Sequence, residues 1–233
     1  MQFQTPLIPG TLVRRYKRFL ADIMLDDGRE VTAHCANPGA MTGLKDPGMR
    51  VWLEPNDDPK KKLKYGWRLV ELGDGHFAGI DTAVPNRVVK EALLARAIPE
   101  VAGWEKIRPE VKYGKKSRVD FLLSGDGLPD HYLEVKNAHL CRTPKLAEFP
   151  DTKTERGARH LNELAEMCKQ GAKATLFYLV QRTDCEALSV ASDIDPNYAK
   201  AFEQALKSGV DVLCYGTNIS RQGVTIGQQL RVI

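Results

Sequence analysis

Two short apolar strands joined by a tight polar turn constrain this chain more than any other feature. Residues 118–123 read Arg-Val-Asp-Phe-Leu-Leu, residues 125–130 Gly-Asp-Gly-Leu-Pro-Asp, and residues 132–136 Tyr-Leu-Glu-Val-Lys. The outer pieces have strand character, and the Gly- and Pro-rich piece between them is a turn. Side chains at i and i+2 of a strand share a face, so Glu134 and Lys136 point one way while Leu133 and Val135 pack the other. Asp120 arrives from the neighbouring strand. Two carboxylates and an amine on one side of a hairpin suit a divalent metal, with hard oxygen ligands for the ion and a cation beside the attacking water. The plainer alternative is a solvent-facing Glu/Lys pair on a strand, since an Asp followed by Glu-x-Lys arises readily by chance.

The 233 residues suffice for one large domain or two modest ones. No stretch approaches the roughly 18 to 20 consecutive apolar residues of a membrane helix, and the first residues lack the basic-then-apolar order of a signal peptide. The expectation is a soluble, cytoplasmic protein. The cysteines, Cys35, Cys141, Cys168, Cys185 and Cys214, are odd in number and never in C-x-x-C spacing, which argues for free thiols over disulfides or a zinc cage. A net charge of +4 permits an anionic partner without demanding one.

Residues 1 to about 80 are β-rich. A long strand pattern over 12–25 ends at the Asp26-Asp27-Gly28 turn, residues 30–35 return from it, and 50–54 and 67–72 supply two more strands. Short strands at turn-punctuated spacing suggest a small OB-type barrel. It carries two basic clusters interleaved with rings: Arg14, Arg15, Tyr16, Lys17, Arg18 and Phe19, then Lys60, Lys61, Lys62, Lys64, Tyr65 and Trp67. Such clusters can follow a phosphate backbone while the rings stack on bases. They can equally be solvated loops, because this half holds 12 basic against 10 acidic side chains. Between the clusters, Asn37-Pro38-Gly39 is either a tight connection or a binding loop that gathers His34, Asn37 and Thr42.

The pattern changes near residues 80–85, dividing the chain into 1–82 and 83–233. Residues 86–97 have helical spacing, 107–113 are a strand, and the turn at 114–116 leads into the central hairpin. Gly114-Lys115-Lys116-Ser117 is not a P-loop, because position 109 is Pro and no Ser or Thr follows the Gly-Lys pair. After the hairpin come an irregular loop at 144–151, a helix from 154 to about 170, a strand at 174–180, a helix at 196–207 and a strand at 210–215. That order gives a mixed sheet flanked by helices.

Asp120 with Glu134-Val135-Lys136 resembles the PD-(D/E)XK nuclease superfamily, and the whole chain resembles the sugar fermentation stimulation protein A family more closely. The likeness rests on Pro-Leu-Ile-Pro-Gly at 6–10, Arg-Tyr-Lys-Arg-Phe-Leu-Ala-Asp at 15–22, His-Cys-Ala-Asn-Pro-Gly-Ala-Met-Thr-Gly at 34–43, Pro-Asn-Arg at 85–87 and Glu-Val-Lys-Tyr-Gly at 110–114. It extends through the hairpin motifs to Phe-Pro-Asp-Thr-Lys-Thr-Glu-Arg-Gly at 149–157. Ala36 and Ala138-His139 depart from the family pattern, and strand alternation puts His139 on the face away from Glu134.

The resemblance implies an N-terminal OB-type barrel, a C-terminal restriction-endonuclease-like mixed-sheet domain, and DNA binding without sequence preference. A regulatory part in sugar use is implied by the family name, and the resemblance extends that expectation to maltose metabolism. Asp120 and Glu134 would hold Mg²⁺ or Mn²⁺, joined by Glu91 from the preceding helix, and Lys136 would orient or deprotonate the attacking water. Arg14, Arg15, Lys17, Arg18 and Asn37 on the barrel would meet nucleic acid. So would Arg156 and His160, which share a helix face four residues apart. The alternative function is an active Mg²⁺-dependent nuclease hydrolysing DNA or RNA. A sugar-directed enzyme has no nucleotide fingerprint or paired sugar-hydrolase carboxylates behind it.

Overall fold

The computed structural model describes residues 1–114 and 117–233, so the turn expected at 114–116 lies partly outside the described residues. The first half is a closed barrel of β1 (Ile8–Tyr16), β2 (Leu20–Leu25), β3 (Glu30–Cys35), β4 (Arg50–Pro55) and β5 (Tyr65–Glu71). Its order is β3-β2-β1-β4-β5, extended by β6 (Phe77–Gly79), and parallel pairing of β3 with β5 closes it. Alternate residues turn inward to a core of Leu12, Ile23, Leu53 and Trp67. Gly10 sits where β1 serves both β2 and β4. A Cβ there would lie 2.6 Å from the Ile23 side chain, so only glycine permits the approach.

The expected single strand over 12–25 is two strands. Lys17 and Arg18 take φ of 46° and 62°, reversing the chain so that Tyr16 pairs with Leu20. The apolar spacing runs on through this turn, so periodicity alone does not reveal it. Trp67 is fully buried and cannot stack on a base, contrary to its place in the second basic cluster.

The second half opens with α1 (Val84–Leu94) and continues with β7 (Lys106–Tyr113), β8 (Ser117–Ser124), β9 (His131–Ala138), β10 (Leu140–Thr143), β11 (Leu146–Phe149) and α2 (Glu155–Lys169). It ends with β12 (Lys173–Val180), β13 (Ala187–Val190), α3 (Pro196–Lys207), β14 (Asp211–Ile219), β15 (Val224–Gln229) and β16 (Arg231–Val232). The main sheet runs β15-β14-β12-β9-β8-β7, with β9, β12 and β14 mutually parallel. Central β12 is buried from Ala174 to Val180, as a parallel strand covered on both faces must be. One face packs on α1 through Phe121, Leu133, Val135 and Phe177, and the other on α2 and α3 through Val119, Leu122, Leu161 and Tyr198.

Residues 144–151, expected as an irregular loop, contain β11 instead. This strand joins β10, β13 and β16 in a small side sheet. Four-residue strands in polar sequence carry too little periodicity to be read locally. Among the described residues, no helix is long and apolar enough to cross a membrane. All five cysteines are free.

The two halves meet around the Asn37–Met41 segment. Ala40 N–H donates to Asp151 Oδ2 at 3.0 Å, and His139 Nε2 lies 3.3 Å from the same oxygen. Burial alone would raise the Asp151 carboxyl, but His139 and the Met41 and Ala40 amides hold it below its usual range. His139 therefore serves the junction rather than the face that carries Glu134.

Candidate nuclease-like site

Beyond Phe121, β8 peels away from β9: their ladder runs only from Phe121↔Leu133 to Leu123↔His131. In β8, Val119 faces α2 while Phe121 faces α1, so the strand changes face at Asp120. Opposite it in β7, Glu110 has φ of 54° and falls outside the paired register. The split leaves Val135 N–H without a β8 carbonyl, and Asp120 Oδ2 accepts it at 2.7 Å. A buried amide must find a partner, so strand divergence itself fixes the Asp120 carboxylate in the gap. Asp120 Oδ1 accepts from Asn86 Nδ2 of α1, also at 2.7 Å.

Glu134 and Lys136 project from β9 toward α2, as alternation requires. Lys136 Nζ donates to Glu134 Oε1 at 2.6 Å. His160 Nδ1 makes a short hydrogen bond to that same oxygen, and Arg156 Nε stands 3.3 Å from His160 Nε2. Helix α2 is aimed for this contact by its N-cap, where Thr154 Oγ1 accepts from Gly157 N–H at 3.0 Å and Asp195 Oδ2 accepts from Thr154 N–H at 2.7 Å. Glu134 is 2 % exposed, and its second oxygen, Oε2, is buried without a partner among the described residues.

The two carboxyls shift in opposite directions. Burial raises Asp120 first and the Glu134 charge second, from 3.8 to about 6, against the Val135 amide, Lys136 and Asn86. Burial also works to raise Glu134, but the His160 hydrogen bond and the Lys136 charge outweigh it and hold the group below its usual range. Neighbouring Tyr113 feels burial first and then the charges of Glu134, Glu163 and Asp120, which drive its hydroxyl far above its ordinary range. Its oxygen, Ser117 Oγ and Glu163 Oε2 are likewise buried and unpartnered among the described residues. Asn86, Tyr113 and Glu163 were not foreseen in the sequence. The Pro-Asn-Arg motif at 85–87 contains the first and the Glu-Val-Lys-Tyr-Gly motif at 110–114 the second, but neither assigned them a place in the site.

Several expected site residues stand elsewhere. Glu91 is largely exposed and pairs with the Met1 ammonium at 2.6 Å, so the α1 residue that reaches Asp120 is Asn86. The two are five positions apart, about 140° around a helix, and cannot share a face. Among the described residues, no three His, Cys, Asp or Glu side chains form a ready ligand cluster.

Asn37 is 1 % exposed, with Nδ2 donating to Ile80 O at 2.9 Å and Oδ1 accepting from Gly39 N–H at 2.8 Å; it holds the loop and cannot reach a nucleic acid. Arg15 spends Nη2 on the carbonyls of Arg18, Asn37 and Gly39, so it too braces the loop. His160 is 2 % exposed, which makes it part of the carboxylate site rather than a phosphate contact. Arg14, Lys17, Arg18 and Arg156 are exposed, Arg14 pairing with Asp22 at 2.8 Å.

With barrel and split sheet in view, comparison with known proteins places the chain. A family model described as the SfsA N-terminal OB domain matches residues 13–80, and one described as the sugar fermentation stimulation protein RE domain matches residues 83–223. The chain belongs to the sugar fermentation stimulation protein family. A sugar fermentation stimulation protein homolog of Ruegeria pomeroyi is 64% identical over 230 residues, covering 99% of this chain and 100% of the relative. Another from Caulobacter vibrioides is 50% identical over 99% of this chain and 96% of its own length. The solved structure of Pyrococcus furiosus SfsA, described as in complex with Ca²⁺, superposes with a TM-score of 0.88. It is 26% identical and the match covers 100% of this chain and 98% of that one.

Proposed function

We propose that this protein binds DNA without sequence preference, RNA being a second polymer it would accept. In this reading its C-terminal domain is a nuclease-like module that holds a divalent cation, Mg²⁺ or Mn²⁺, at Asp120 and Glu134. The observation that carries the DNA reading is a chain of contacts across the domain junction. Arg18 Nη2 donates to Pro38 O at 3.3 Å, Ala40 in the same loop binds Asp151, and three residues later Thr154 caps the helix that presents Arg156. The basic Lys17-Arg18 turn thereby neighbours the junction that leads to an exposed arginine and a helix N-terminus, groups that favour phosphate. Phe19, 46% exposed and stacked on His34 at 6.4 Å, adds an aromatic surface beside the turn. A cleft on the barrel wall is lined by His34, Lys61, Lys62, Tyr65 and Arg68.

The residues fit a cation. Glu134 Oε2 is a buried oxygen without a partner among the described residues, and the Asp120 carboxyl is raised first by burial and then by the Glu134 charge, both of which a cation would offset. Two carboxylates with waters completing the shell suit Mg²⁺, and the Pyrococcus relative is described as in complex with Ca²⁺, a cation that also prefers oxygen ligands. A divalent ion there would polarise a phosphoryl oxygen. Lys136 lies beside Glu134 at 2.6 Å, which favours a second reading in which the module turns over as a nuclease on DNA or RNA. The free cysteines agree with a cytoplasmic place. The family name suggests a regulatory part in sugar use, to which DNA binding would give a route.

Titrating purified protein with unrelated DNA duplexes over a salt series tests the binding. Affinity should fall steeply with salt and alike for every sequence, and a sequence preference that survives high salt would end the nonspecific reading. Incubating supercoiled, linear and single-stranded DNA, and RNA, with Mg²⁺, Mn²⁺ or EDTA separates binding from turnover. Calorimetry with Mn²⁺ should show binding that Asp120→Ala abolishes; an Asp120→Ala protein binding Mn²⁺ as well as the parent would leave the constellation purely structural.

A further inference from the structure

The hydrogen-bond pattern around His160 fixes more than its location. A guanidinium nitrogen can only donate, so His160 Nε2, 3.3 Å from Arg156 Nε, is an acceptor. The ring proton of a neutral imidazole then sits on Nδ1, where it is donated to Glu134 Oε1. Lys136 Nζ, 3.4 Å from Nδ1, is a second donor converging on the same carboxylate oxygen rather than a partner of the ring. Glu134 Oε1 is thus taken twice, while Oε2 is buried and taken by nothing among the described residues.

A carboxylate clamped by a single donor could rotate and exchange its oxygens. Two donors arriving from different elements, Lys136 on its own strand and His160 on α2, fix the plane of the group. Arg156 is the outer member. Its Nη groups have no partner among the described residues and the side chain is exposed, so it can meet a phosphate while Nε still holds the ring.

We propose that His160 is a positioning residue for Glu134: held in its Nδ1–H tautomer by Arg156, it occupies Oε1 and so determines that Oε2 is the oxygen left open to a cation. The idea rests on the reading that Asp120 and Glu134 hold a divalent ion, and the tests keep the two apart. Long-range proton–nitrogen NMR of the metal-free parent should show His160 as the Nδ1–H tautomer. A pattern with the proton on Nε2, or of an imidazolium, would overturn the proposal whatever the protein's affinity for metal.

Mn²⁺ calorimetry gives the second readout. Replacing an outer partner of a ligand typically costs about 10- to 100-fold in metal affinity, and His160→Ala should lose that much. His160→Asn should recover most of it, because its amide N–H can stand where Nδ1–H stands. Equal loss in both variants would reduce His160 to a packing residue, and parent-like affinity in His160→Ala would also sink the idea. Should the parent bind no Mn²⁺ yet show the Nδ1–H pattern, the cation reading falls while the placement of Glu134 by His160 stands.

Discussion

Two regions with similar inventories of buried polar groups are built to opposite ends. In the Asn37–Met41 segment nearly every group is spent: both polar atoms of Asn37 are bonded, Arg15 braces three carbonyls, and Asp151 takes the Ala40 amide. Around Glu134 the bookkeeping is left open. One carboxylate oxygen, the Tyr113 hydroxyl, Ser117 Oγ and one Glu163 oxygen are buried without partners among the described residues, and the Asp120 carboxyl is raised by its surroundings. Buried polar groups are costly unless satisfied, so a loop whose buried side-chain groups are bonded apart from Arg15 Nε reads as architecture, and a cluster of four unpartnered oxygens among the described residues reads as a site awaiting something.

Cutting the closed network should produce the largest change in stability. Asn37→Ala leaves the Ile80 carbonyl and the Gly39 amide without partners, each worth roughly 1 to 3 kcal/mol when buried, so urea unfolding should show a loss of about 4 kcal/mol. Mn²⁺ affinity should stay near that of the parent. A stability change under about 1 kcal/mol would mean that the loop is not the closed unit described here.

The open cluster should reveal itself through pH. A carboxyl held at about 6 when folded and near 3.8 when unfolded binds its proton more tightly in the native state. The native state is therefore favoured below the unfolded value, and that advantage disappears as pH rises through about 6. For Asp120 alone the swing is on the order of 3 kcal/mol in metal-free protein. Glu134 acts in the opposite direction, its contribution being present above its ordinary 4.5 and lost as pH falls through its lower folded value. His131, which burial lowers from 6.5 to about 4, slopes the opposite way over nearly the same range, so the readout is the stability of the parent minus that of Asp120→Asn, measured by denaturation between pH 4 and 7, a difference that should fall as pH rises. A difference curve that is flat or rises through this window would contradict the burial of Asp120 and its crowding by Glu134.

The smallest effect belongs to the exposed Lys17-Arg18 turn, whose side chains, among the described residues, hydrogen-bond the loop only through the 3.3 Å contact of Arg18 Nη2 with Pro38 O. Lys17→Ala with Arg18→Ala removes two exposed cations, so stability should move by no more than about 0.5 kcal/mol. The log–log salt slope for DNA binding should fall by about 1 to 2, as expected for the loss of one or two phosphate contacts. An unchanged slope would take the barrel turn out of the nucleic-acid interface and leave α2 as the surface to test.

Much of the fold was legible locally because periodicity states which face a side chain takes. Alternation alone put Glu134 and Lys136 together and Leu133 and Val135 opposite, and the sequence pattern gave α3 its bounds of Pro196–Lys207, to which the structure adds Asp195 as the cap. What lies across from a face is decided by elements far away in the chain, and there local pattern is silent. Positions 156 and 160 could be seen to share a side of α2, but only packing of that helix on β9 turns His160 from a phosphate contact into a clamp on Glu134. Asn86 and Glu91 are both polar residues of one helix, and its docking angle alone selects Asn86 for Asp120. The split of β8 from β9 leaves no mark in an apolar run, because the strand residues on either side of Asp120 are the same kind. Residue type and strand alternation singled out Asp120, Glu134 and Lys136 in the sequence, and the tertiary structure decided which partners take up their atoms and that Glu134 Oε2 has none among the described residues.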